Sequence, residues 1–114
     1  MNPVQFYKCL ADETRLKCML LIEHENELCV CELTEALQEI QPKISRHLAQ
    51  LRQCGLLMDR RQGKWIFYRI NPALPEWSKK IITDTTLSNT VFLKESLAKL
   101  SDMGGRPERM AACC

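Results

Sequence analysis

The chain has 114 residues, 46% of them hydrophobic and 26% charged, with a formal net charge of +2. That length predicts a single domain with one modest core, and the proportions are those of a soluble globular protein rather than a disordered or membrane one. A charge so near balance does not by itself announce a nucleic-acid partner, so any such reading rests on local clustering.

Asn2-Pro3 reads as a helix N-cap followed by Pro at the first helical position, and Phe6, Cys9 and Leu10 continue a short first helix. Asp12 caps a second helix running to about Glu23, whose wide apolar face (Leu16, Cys18–Ile22) predicts a central position. Val30 to Gln38 forms a third short helix, and Gln41-Pro42 opens a fourth that Cys54-Gly55 closes, with Gly just past the end. Only Glu39 to Gln41 separates these two helices, which suggests a helix-turn-helix. Leu56 to Arg61 and Lys64 to Ile70 read as strands joined by Gln62-Gly63. Glu76 to about Leu100 reads as one long helix. The expected architecture is therefore mainly α (α+β), a winged helix-turn-helix with a two-stranded hairpin wing and a long C-terminal helix for pairing. It spans residues 1–100, with 101–114 as a flexible tail ending in Cys113-Cys114.

On the fourth helix Ile44, Leu48 and Leu51 make the core stripe, while Lys43, Arg46, Gln50 and Gln53 fall opposite and Ser45 lies on the flank. Arg forks onto guanine and Gln onto adenine, so this face suits base edges and phosphates; it also fits an ordinary solvated surface. The wing adds Arg60, Arg61, Gln62 and Lys64 around a protruding turn, suited to holding phosphates. With Gln41 and His47 of the same fourth helix, these residues make the expected DNA-contacting set. Trp65, Phe67 and Tyr68 read as packing residues.

Seven cysteines is a high, odd number. The first residues carry no secretory pattern, and the longest apolar run, Cys18–Ile22, is too short for a bilayer. A cytoplasmic protein with thiols rather than disulfides is expected, and metal binding or redox sensing with it. Cys29 and Cys31 sit two apart at a helix start, where the dipole favours thiolates that take soft ions. Two neighbours so spaced do not share a face of a regular helix, so gripping one ion would distort the first turn and move the reading helix. The alternative is two ordinary cysteines, one packed and one exposed. Cys9, Cys18 and Cys54 read as core or packing residues. The adjacent Cys113 and Cys114 have no packing reason and could bring a third donor to the pair. No Gly-rich phosphate loop, C-x-x-C or acid–base pair speaks for an enzyme.

Four segments, Leu10–Leu16, Glu27–Leu33, Gln41–Leu48 and Arg61–Arg69, resemble the ArsR/SmtB repressors. The resemblance covers about Phe6 to Leu100. It implies a homodimer paired through the first and last helices, bound to double-stranded operator DNA with inverted half-sites roughly 34–36 Å or a multiple apart. It also implies release when As(III) or Sb(III) meets the C-x-C thiolates. Many arsenic-responsive members carry a third cysteine three residues on, where this chain has Thr34, so a contribution from Cys113 or Cys114 is expected. Zinc sensors of this kind place His and Asp on the last helix, whereas residues 76–100 hold Asp84 and no His. A redox-responsive or a cadmium- or lead-responsive repressor of the same fold is the alternative.

Overall fold

The computed structural model describes residues 1–113, with side chains as far as Ala111. Seven helices and three strands follow one another as α1 (Pro3–Leu10), α2 (Glu13–Glu25), β1 (Leu28–Cys29), α3 (Val30–Leu37), α4 (Gln41–Gln53), β2 (Leu57–Gln62), β3 (Trp65–Ile70), α5 (Glu76–Ser88), α6 (Lys94–Asp102) and α7 (Glu108–Cys113). Local chemistry sets the boundaries. The Asn2 carboxamide oxygen accepts from the Val4 and Gln5 amides at 2.8 and 3.3 Å, and the Asp12 carboxylate from the Arg15 amide at 3.0 Å. Helix α4 ends as Gly55 turns to φ +83°, with Gly55 N–H bonded to Arg52 O and Leu56 N–H to Leu51 O. That pair of bonds satisfies the last carbonyls in a Schellman motif.

The core is built on α2, whose Cys18, Met19, Leu20, Leu21 and Ile22 are all buried against Ile44, Leu48 and Leu51 of α4, Leu33 of α3 and Ile82 of α5. The sheet is antiparallel in the order β1-β3-β2. Leu28 pairs Tyr68, Cys29 pairs Phe67, and Gln62 pairs Trp65. Gly63-Lys64 is thus the two-residue turn, one position later than expected. Gly63 takes φ +61° at the first central position, as a type II′ hairpin requires.

Three expectations change. The hairpin gains a third strand, because Leu28 and Cys29 extend along β3. The single helix over 76–100 is two helices. Thr85 and Thr86 hydroxyls bond back to the Ile81 and Ile82 carbonyls, and Asn89 Nδ2 caps Thr85 O at 2.8 Å, so this β-branched, back-bonding run ends α5, and buried Leu93 anchors the turn into α6. Residues 101–113, expected as a tail, carry α7, which folds back onto α3.

Candidate nucleic-acid interface and thiol site

Helix α4 lies across α2 on Ile44, Leu48 and Leu51. Its opposite side presents Gln41, Arg46 and Gln50 to solvent, with Lys43 and Ser45 half-buried. Arg46 is exposed and has no ion-pair partner among the described residues. Lys43 pairs with Glu39 at 3.0 Å, an i,i+4 bridge that a phosphate would have to compete with. Gln50 Oε1 accepts from Arg15 Nη1 at 3.2 Å.

His47 differs from the expectation. It is only 7% exposed, its ring lying 3.4 Å from Arg15 Nη1 and 3.9 Å from Asp12 Oδ2. It faces the start of α2 rather than the reading side. Arg15, which sequence patterning did not single out, holds this corner together: its Nε donates to Cys9 O at 2.7 Å while the same guanidinium reaches Gln50 and His47.

The wing also divides. Arg60 is drawn to Glu27 by two bonds of 2.7 and 2.6 Å, and donates to Gln62 Oε1 at 2.8 Å. Its guanidinium lies 4.8 Å from the Phe67 ring centre. The bonds from Arg60, together with the nearby Arg106 charge, hold the Glu27 carboxyl below its ordinary value. Arg60 and Gln62, expected at DNA, are exposed and are engaged within the chain by Glu27 and by each other. Arg61 and Lys64 stand exposed at the turn, Lys64 Nζ lying 5.2 Å from the Trp65 ring centre.

Cys29 occupies the N-cap position of α3 with φ −94° and ψ 168°, and Glu32 reaches back to its amide at 2.9 Å, closing a capping box. Cys29 belongs to β1, outside the helix, so the face rule for neighbours inside one helix does not govern the C-x-C pair. Both cysteines pack into one small cluster with Phe67, Trp65 and Met110 of α7. A groove lined by Cys29, Cys31, Gln41, Ser45, Lys64 and Trp65 runs from this pair to the reading helix and the wing. The Trp65 indole N–H is buried there without a hydrogen-bond partner among the described residues.

The least legible feature is Glu32. It is fully buried, yet its carboxylate accepts from Arg106 at 2.7 Å, Arg109 at 3.0 Å and the Cys29 amide. Burial disfavours its charge, but these bonds outweigh burial and hold its pKa below the ordinary value. Arg106 also donates to Glu27 O at 2.9 Å and covers Phe67 at 4.7 Å. A Cys at the N-cap is not the usual S/T-x-x-E signature, and the Gly-Gly-Pro composition around Arg106 disguises the docked helix. Among the described residues, no group of three His, Cys, Asp or Glu side chains is arranged to hold an ion. Cys113 closes α7, but its side chain and the whole of Cys114 lie outside the described residues.

Residues 12–58 match the family model described as "Bacterial regulatory protein, arsR family". The "Arsenic resistance transcriptional regulator ArsR1" of Pseudomonas putida is 50% identical over 113 residues, 99% of this chain and 88% of the relative. The chain belongs to the arsR family of bacterial regulators. The "Arsenical resistance operon repressor" of Escherichia coli is a second such relative, 58% identical over 82 residues, covering 72% of this chain and 70% of that one. Among solved structures, reduced HlyU from Vibrio cholerae superposes with a TM-score of 0.67 at 31% identity, covering 75% of this chain and 86% of that one. In this arsR-family regulator, α3 and α4 make the helix-turn-helix and β2 and β3 the wing. No described helix is long and apolar enough to cross a membrane.

Proposed function

We propose that the chain is a cytoplasmic, non-catalytic repressor that binds an inverted-repeat operator as a homodimer and releases it when arsenite or antimonite meets its thiols. The observation that carries this reading is the shared groove. It joins Cys29 and Cys31 to Gln41, Ser45 and Lys64, so ligation at the pair disturbs the surface that meets DNA. In this reading Gln41, Lys43, Ser45, Arg46 and Gln50 address the major groove, and Arg61 and Lys64 hold phosphates. Pairing of two copies would cover Val4 and Tyr7 of α1 and Trp77 and Leu87 of α5, all exposed in the single chain.

The ligand set is Cys29 and Cys31 with Cys113 or Cys114 as the third thiolate. Support comes from α7, which packs Met110 against Cys29 and Cys31 and ends at Cys113. Soft thiolates favour a soft trivalent metalloid.

Operator release is read by fluorescence anisotropy as arsenite is titrated. The wild type is expected to let go, Cys29→Ser/Cys31→Ser to stay bound, and Cys113→Ser/Cys114→Ser to need at least tenfold more arsenite. Release by the C-x-C double variant at wild-type doses would overturn the proposal, and an unchanged dose in the tail variant would remove the third ligand. The same titration with antimonite ranks the two metalloids.

A further inference from the structure

We propose that Cys9 and Cys54 form a second, separate thiol site: a dithiol that hydroperoxides oxidise to a disulfide tying the first helix to the far end of the reading helix. The two sulfurs are bonded in the structure, across 45 residues of sequence and a Cα–Cα distance of 6.8 Å. Cys54 is the C-cap of α4, while the C-x-C groove reaches the N-terminal half of that helix through Gln41 and Ser45. A 13-residue helix separates its ends by about 20 Å, so the two thiol sites are independent.

Both cysteines are half-buried and line an open groove with Gln5, Lys8, Arg15 and Gln53, which gives a small oxidant access. The joint between the helices does not depend on the sulfur bond. Arg15 donates to Cys9 O at 2.7 Å and to Gln50 Oε1 at 3.2 Å, bridging α1 to α4 by itself. Reduction therefore leaves the two thiols opposed, ready to close again. Cys18 is the contrast: it is fully buried, and burial pushes its thiol up to about 12, so it stays protonated and inert.

One thiolate attacks the peroxide O–O bond, forming a sulfenic acid and releasing hydroxide, which leaves as water with that thiol's proton. The second thiol displaces the sulfenic oxygen as a second water, forming the S–S bond. Two thiols lose two electrons to one hydrogen peroxide. The closed loop encloses α2, β1, α3 and α4, so oxidation restricts the unfolded chain and stabilises the fold. It also locks α4 in the arrangement described.

The test uses the full chain with Cys29, Cys31, Cys113 and Cys114 all changed to Ser, treated with hydrogen peroxide in the native state. Expected are a mass lower by two hydrogens, a proteolytic peptide joining Cys9 to Cys54 and a Tm higher by about 10 °C, all reversed by dithiothreitol, with Cys18 unmodified throughout. The same peptide is expected from the wild type. Operator affinity of the oxidised form should stay within threefold of the reduced form. Absence of the Cys9–Cys54 peptide from both proteins, an unchanged Tm, or a tenfold loss of operator affinity would overturn the proposal. Because this background lacks the C-x-C and terminal thiols, its result is independent of the arsenite response.

Discussion

Glu32→Ala should lower stability by about 3 kcal/mol and Tm by roughly 10 °C. Removing the carboxylate takes away the one group that Arg106 and Arg109 both approach, at 2.7 and 3.0 Å, and leaves them backbone carbonyls and the longer pairs to Glu27 and Glu25, at 3.8 and 3.9 Å. The figure sits at the low end for a broken buried pair because Arg106 is 35% exposed and recovers hydration. The loss should be concentrated at the C-terminus: trypsin should cut after Arg109 in the variant far faster than in the wild type. Thermal unfolding and a digestion time course check both parts, and a Tm change below one degree would show that α7 is held by its apolar contacts instead. Acid should reproduce the substitution. The Glu32 carboxyl is held below its ordinary value, so its contribution is complete above the unfolded glutamate pKa of about 4.3 and is lost as pH falls through the lower folded value. Between pH 5 and 8 this contribution should not vary; below about pH 4.3 it should be lost progressively as the pH falls.

Arg46→Ala should weaken operator binding by about 1–3 kcal/mol, roughly 5- to 150-fold, and relax base preference at one position in each half-site. Arg46 is the exposed cation of α4 without an ion-pair partner among the described residues, whereas Lys43 is engaged by Glu39 at 3.0 Å. Lys64→Ala is the comparison. At the wing turn it should weaken binding to specific and random DNA alike and reduce the salt slope by about one. Equal losses on both DNAs for Arg46→Ala would contradict a base-reading role.

What was legible in the sequence was local. Asn2, Asp12 and Gly55 each act on backbone groups within four residues, so their residue types announce the helix ends. The C-x-C pair and the basic wing were legible for the same reason. The clamp on Glu32 was not, because its partners come from 74 and 77 residues away, and no periodicity encodes a contact of that range. His47 marks an intermediate case. At 100° per residue it lies roughly 60° from Ile44 and so at the margin of the core stripe, and only the neighbouring Asp12 and Arg15 decide that it turns inward. The cysteine pairing of α1 with α4 likewise depends on how two helices cross, which residue types alone do not report. Arg60 was read by its charge, and Glu27, a residue of an adjoining segment, sets its use.

Cys29 both ends a strand of the wing sheet, opposite Phe67, and caps the helix that supports the reading helix. One residue thus joins the edge of the wing sheet to the start of the helix-turn-helix. In the proposed release, ligation at Cys29 would therefore reach the wing and the helix-turn-helix together rather than one after the other.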